Sequence, residues 1–205
     1  MPCTAKWSAF GWRAWRADGR PGPPAGPMER VQFHYQPFYC EENAWWLCAE
    51  PALGPGPRHV VFIANRAGLC PFLGQRAAPP GEIIGWDYHC VVLDGQARIW
   101  DLDTRLGLPL PGVAWLMGSL PFAPRLPASL MPWFRLVSAD GFRRDFASDR
   151  RHMRTLDGRW QHPPPPWPPI GQGMTLRDYL DLTSDGPGEL LDFAAFERVL
   201  RTSRA

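Results

Sequence analysis

Long apolar runs are missing from this sequence. No stretch approaches the roughly 18 consecutive apolar residues that a membrane-spanning helix requires, so no such helix is expected. An excess of one charge sign is missing too. Across 205 residues the formal net charge is only +2, which creates neither the basic track of a nucleic-acid binder nor a patch for an anionic membrane surface. Paired cysteine spacing is absent: Cys3, Cys40, Cys48, Cys70 and Cys90 form an odd set with no C-x-x-C, which argues against both a disulfide framework and a zinc site. Free thiols are expected, one of them a candidate for reactivity. The opening MPCTAKWSAFGWRAW lacks the charged-then-apolar order of a secretory leader. The expectation is a cytoplasmic monomer with no nucleic-acid or membrane partner.

Lysine is nearly missing as well. Lys6 is the only one, and arginine replaces it throughout a chain rich in Ala, Gly and Pro, a usage that suits a GC-rich gene. Residues 1–27, dense in Gly, Pro and Arg without an apolar period, read as a poorly ordered extension, and Met28 (MERVQFHY) is a candidate translation start. With 45% hydrophobic and 20% charged residues, the chain is long enough for one domain with a substantial core and too short for two. That domain is placed at 28–205. No internal repeat is visible.

What is present begins with FYCEENAWWLCAEP. Pro37 comes just before, Glu41 and Glu42 stand in a first turn, Trp45, Leu47 and Cys48 follow, and Pro51 closes the run, so a helix is expected to open near Cys40. Unpaired N–H groups and the positive dipole end at that position stabilise a thiolate, pulling a cysteine pKa from about 8.5 towards neutrality. The plainer reading of Cys40 is a buried small apolar side chain. Cys48, two turns on in the helix interior, is read as core.

Apolar runs at 58–65 (RHVVFIAN), 82–94 (EIIGWDYHCVVLD) and 97–103 (ARIWDLD) read as strands, the last two joined as a hairpin by Asp94-Gly95. Loop length decides which residues share a face. A two-residue turn pairs Leu93 with Gln96 and puts His89 and Asp101 on opposite faces. A three-residue loop with Gly95 left-handed pairs Val92 with Gln96, and His89 and Asp101 then share a face as diagonal neighbours, roughly 7–8 Å apart. Asp103 lies on that face too and competes. An imidazole acts as a base only when its other nitrogen is held in the right tautomer, which a carboxylate on the adjacent strand does. Cys40, His89 and Asp101 then make a nucleophile, a base and an orienter. A lone histidine is more simply a satisfied, half-buried side chain; His34 and His59 stand beside strands or loops without a paired acid, and His152 and His162 lie in polar or proline-rich surroundings.

The segments YCEEN (39–43), WDYH (86–89), DLDT (101–104), FASDRRHM (146–153) and PPPPWP (163–168) stand in an order and spacing that resembles the protein N-terminal glutamine amidohydrolase family. The resemblance runs from about Tyr39 to Leu182, with a fainter echo in the last helix. It implies an α/β fold related to the papain and transglutaminase folds, a mostly antiparallel sheet flanked by helices with the nucleophilic cysteine at a helix N-terminus. It implies a catalytic triad of Cys40, His89 and Asp101. The implied reaction removes the side-chain amide from a glutamine at a protein's first position through a thioester, giving glutamate and ammonia, with no metal or organic cofactor. The implied partners are proteins or peptides with an unblocked N-terminal glutamine. Where the family usually has valine after the histidine, this chain has Cys90, expected on the opposite face from His89 as a packing change.

A substrate α-ammonium, with a pKa near 8, calls for a carboxylate or carbonyls in a closed pocket. Glu41, Glu42, Asp87 and Asp149 are the acids in the matched motifs, and the sequence does not choose among them. Helix-start electrostatics is the alternative for Glu41 and Glu42, an internal ion pair with Arg150 for Asp149, and packing for Trp86 and Tyr88. The run QHPPPPWPPIGQG reads as a surface loop bordering the active site rather than as an extended ligand for aromatic-groove modules. MTLRDYLDLT and GELLDFAAFERVLR read as amphipathic helices whose apolar stripe is core. Two other classes stay open: another Cys-His-Asp enzyme of the same fold (an internal glutamine deamidase, a transglutaminase or a cysteine protease), and a non-catalytic scaffold displaying the proline run.

Overall fold

Five consecutive apolar residues from Val60 to Ala64 leave a strand no polar face to offer to water, so both of its faces must be covered. The computed structural model, which describes residues 33–183 and 185–202, shows how. In chain order the elements are α1 (Cys40–Leu47), β1 (His59–Ala64), β2 (Cys70–Leu73), β3 (Ile83–Trp86), β4 (Tyr88–Leu93), β5 (Arg98–Trp100), β6 (Leu110–Pro111), α2 (Gly112–Ser119), β7 (Trp133–Ser138), α3 (Ala139–Asp145), α4 (Leu176–Leu180), β8 (Glu189–Leu191) and α5 (Phe193–Thr202). Six strands form one sheet in the order β6-β5-β4-β1-β7-β8, with every neighbouring pair antiparallel. The architecture is mixed α/β, a mostly antiparallel sheet flanked by helices. The extension read at 1–27 and the candidate start Met28 lie outside the described residues.

The strand period sorts the apolar residues into two cores. Val60, Phe62 and Ala64 of β1 join Tyr88, Cys90 and Val92 of β4 against α1, α3 and α4. Val61 and Ile63 join Val91 and Leu93 against Trp115 and Leu116 of α2 and Phe193, Phe196 and Leu200 of α5. Fully burying one such side chain stabilises the fold by about 1.5–3 kcal/mol. A strand buried on both faces therefore has its register fixed twice, once by each layer.

Three expectations change. The run at 82–94 is two strands in two sheets, because β3 pairs with β2 in a separate ribbon. The break falls at Asp87, whose own carboxylate takes the Tyr88 N–H at 3.0 Å and so competes with a continuous ladder. In the hairpin, Val92 opposes Trp100 rather than Gln96, and the left-handed residue is Ala97 (φ 55) rather than Gly95. The cause is Asp94, a buried acid whose carboxylate accepts the Gln96 and Arg98 N–H groups, Arg98 Nε and Trp100 Nε1 at 2.7–3.0 Å. A slide by an even number of residues leaves each side chain on the face it had, so His89 and Asp101 keep the relation of the three-residue alternative. Finally, the start of GELLDFAAFERVLR is β8, paired to β7. The helix opens only after Asp192, whose carboxylate receives the Ala195 N–H at 2.7 Å as a cap.

Candidate active site

Cys40 is the first residue of α1, and the chain around it is fixed from several sides. Asn43 brackets the Gln36 backbone, accepting its N–H at 2.8 Å and donating to its carbonyl at 2.9 Å. Phe38 sits at φ 69, a left-handed conformation that costs energy for a bulky residue, and its ring stacks on His162 at 3.5 Å between centroids. Tyr39, fully buried, donates to the His162 carbonyl at 3.1 Å. Together these contacts set the helix entry that carries the thiol.

His89, 1% exposed on β4, meets Asp101 just past the end of β5, with Nε2 at 3.0 Å from Oδ1. Asp101 leaves the ladder because its carboxylate organises a turn, receiving the Asp103 N–H at 3.0 Å. Its other oxygen receives Gln75 Nε2 and Trp115 Nε1, both at 3.0 Å. Asp103, the competing acid, instead accepts the Tyr35 hydroxyl at 2.7 Å. Trp86 lies parallel to the His89 ring at 5.8 Å and Phe72 meets it edge-on at 5.2 Å, so the imidazole has little freedom to turn.

Burial opposes charge on His89, but the Asp101 charge and hydrogen bond outweigh it and hold the imidazole well above its ordinary pKa. Burial likewise opposes charge on Asp101, yet His89, Gln75 and Trp115 keep it below the usual carboxylate range. For Cys40 the expected lowering is not found. Burial pushes the thiol well above its ordinary value, neighbouring Cys90 and Glu41 push the same way, and hydrogen bonding with His89 pulls it down. The helix end alone does not preform a thiolate; the imidazole is the group that favours one.

Cys40, Asp87, Tyr88, His89 and Asp103 border a cleft of about 1010 Å³, room for several peptide residues rather than one side chain. The four candidate acids separate clearly. Asp87 is exposed within the cleft wall. Glu41 is fully buried, accepting the Tyr88 hydroxyl at 2.9 Å and lying 3.7 Å from the Cys40 sulfur. Glu42, also fully buried, is held by Arg150 through two bonds of 2.7 and 2.8 Å and by Trp167 Nε1 at 2.7 Å. Asp149 does not line the cleft and pairs instead with Arg151, which does, 2.8 Å from its Nε, so the ion pair expected between Asp149 and Arg150 does not form. Arg150 also donates to the carbonyls of Pro165, Trp167 and Pro168, which fastens the proline run to α1.

Sequence reasoning missed Gln75 and Trp115, which stand far from any quoted motif, and it missed that His152 has an acid beside it. His152 Nε2 is 3.3 Å from Glu41 Oε1. A capped WDYH-type segment could have hinted that Tyr88 reaches back to Glu41; nothing in the sequence pointed to Trp115. Among the described residues, His89, Asp101 and Asp103 offer ligand atoms within 4.8 Å of one another. A metal there would displace the His89–Asp101 bond, so this set competes with proton transfer.

The family described as N-terminal glutamine amidase matches residues 35–200. A protein N-terminal glutamine amidohydrolase of Arabidopsis thaliana is 35% identical over 158 residues, 70% of this chain and 71% of its own length. Those of Bos taurus and Homo sapiens are each 35% identical over 170 residues, 78% of this chain and 82% of their own lengths. The match takes in Cys40, His89 and Asp101 as well as the walls of the cleft, and the chain belongs to the N-terminal glutamine amidase family.

Proposed function

We propose that the protein hydrolyses the side-chain amide of an N-terminal glutamine in proteins or peptides, giving N-terminal glutamate and ammonia. Cys40 is the nucleophile, His89 the general acid and then base, and Asp101 the orienter. The observation that carries this reading is the 3.0 Å contact of His89 Nε2 with Asp101 Oδ1 beside a helix-opening cysteine in a peptide-sized cleft. With Nε2 engaged by Asp101, Nδ1 is left to take the Cys40 proton. The thiolate–imidazolium pair forms as the amide carbon is attacked, and the oxyanion is met by N–H groups at the start of α1, that of Cys40 among them. His89 gives its proton to departing ammonia, leaving a thioester on Cys40. Water deprotonated by His89 then releases the glutamate. A helix-borne cysteine and a strand-borne histidine suit a papain- or transglutaminase-like architecture, which forms part of this reading, as does a single catalytic domain spanning 28–205.

Selection of a chain end is assigned to Asp87. It stands at the break between β3 and β4, borders the same cleft as His89 two residues on, and is the acid of the four that is open to that cleft. A substrate ammonium there neutralises it without displacing any buried pair.

Ammonia release from three peptides tests the reading: glutamine first, glutamine first but N-acetylated, and glutamine internal. Release from the first alone, abolished by Cys40→Ala, is expected. Equal release from the internal or acetylated peptide would assign the site to a general glutamine deamidase or transglutaminase instead.

A further inference from the structure

The residue after His89 is expected to be a packing variant, yet its thiol stands beside the nucleophile. β4 directs Tyr88, Cys90 and Val92 to the face covered by α1, so Cys90 and Cys40 belong to one core cluster. Both line a small void beneath the first turn of α1, with Asn43, Ala44, Leu47 and Trp100 around them. Cys40 also borders the open cleft, whereas Cys90 does not. The two thiols are close enough to shift each other's titration. A valine at position 90 would fill this space without offering a second sulfur.

We propose that Cys90 is a resolving thiol: a hydroperoxide entering the cleft oxidises Cys40, and the two cysteines then close a disulfide that switches the enzyme off reversibly. The switching, though not the disulfide itself, rests on Cys40 being the nucleophile. In the first step the Cys40 thiolate attacks the peroxide, a sulfur–oxygen bond forms, the oxygen–oxygen bond breaks, and the leaving alkoxide or hydroxide takes the proton held by His89. Cys40 is then a sulfenic acid. In the second step the Cys90 sulfur attacks the Cys40 sulfur; the sulfur–sulfur bond forms, and hydroxide leaves with the Cys90 proton as water. Two thiols lose two electrons in all, and one peroxide gains them.

The order of events follows from position. Burial raises all four described thiols, Cys40 well above its ordinary value, Cys90 to about 11 and Cys48 and Cys70 to about 12 each, so surroundings and access rather than titration decide which one meets the peroxide first. Cys40 is the one of the four described cysteines with both an imidazole beside it and access from the cleft. The void under the helix gives its sulfur room to turn from the cleft towards Cys90. The disulfide also shields Cys40 from the irreversible sulfinic and sulfonic stages.

Peptide mapping without reduction, after treating the full chain with hydrogen peroxide, tests the proposal beside a glutamine-first activity assay. In the wild type a Cys40–Cys90 linked peptide is expected to rise as activity falls, and dithiothreitol should restore both to their starting levels. In Cys90→Val, basal activity is expected to be unchanged, peroxide should still inactivate, and dithiothreitol should no longer rescue because Cys40 has passed to the sulfinic acid. Absence of the linked peptide in the wild type, or equal rescue of Cys90→Val, would overturn the proposal. The linked peptide without any glutamine-first activity would leave the disulfide standing and refute the catalytic reading alone.

Discussion

Both carboxylate oxygens of Asp101 are committed, one to His89 and the Asp103 N–H, the other to Gln75 and Trp115. Removing the indole donor in Trp115→Phe leaves a buried charged oxygen with one partner fewer, so kcat is expected to fall about tenfold with KM nearly unchanged. Steady-state kinetics separates that outcome from a binding defect. Asp87→Asn should do the reverse, raising KM about tenfold or more through loss of a charge-assisted contact while sparing kcat. The His89–Asp101 pair also ties stability to pH. His89 is raised by Asp101, so its contribution is complete below the unfolded value of about 6.5 and is lost as pH rises through the folded value. Asp101 is lowered, so its contribution is complete above about 3.9 and is lost as pH falls through the folded value. Between those limits the pair stabilises fully, so the melting temperature of the wild type is expected to decline above about pH 6.5, and Asp101→Asn should flatten that decline. The residues proposed to react were legible in the sequence because each lies in a short motif, and folding brings His89 and Asp101 together. Their supports were not: Gln75 and Trp115 reach Asp101 from a loop and a helix that no local pattern connects to it.

The elements hold the site through contacts between distant segments. Arg150, 4% exposed, is the clearest case, joining Glu42 of α1 to the carbonyls of the proline run. Arg150→Met strands the Glu42 charge in the interior and is expected to cost about 3–5 kcal/mol by urea unfolding, with the double change Glu42→Gln, Arg150→Met costing less than the sum of the two single changes. Some elements were readable and some were hidden by polar groups. β1 declares itself as an unbroken apolar run, and α1 by its flanking prolines and acidic first turn. β7 carries Arg135 in its middle, 1% exposed, its guanidinium donating to the carbonyls of Asp181, Thr183 and Pro187; a charge there obscures a strand that is buried. The hairpin misled in register because the Asp94-Gly95 pair names a tight turn, while the Asp94 carboxylate collects four donors and draws the loop further along the chain.

At the scale of the molecule, one sheet with helices on both faces brings an α1 thiol and a β4 imidazole to the edge of a single cleft, with the buried Asp101 carboxylate beyond β5 bonded to the imidazole. One compact unit begins at Phe33, and the family match begins at residue 35. A chain starting at Met28 is therefore expected to keep its melting temperature and its kcat/KM within about twofold of the full chain. Similarity points to amide hydrolysis at a chain end, and the proposed link between that activity and the geometry is a covalent intermediate on the Cys40 sulfur. Acid quenching during turnover of a glutamine-first peptide, followed by peptide mapping, tests that most directly. The account predicts a thioester of the substrate less ammonia on the peptide that carries Cys40, absent from Cys40→Ala. Steady product release with no such adduct, or undiminished release by Cys40→Ala, would contradict it.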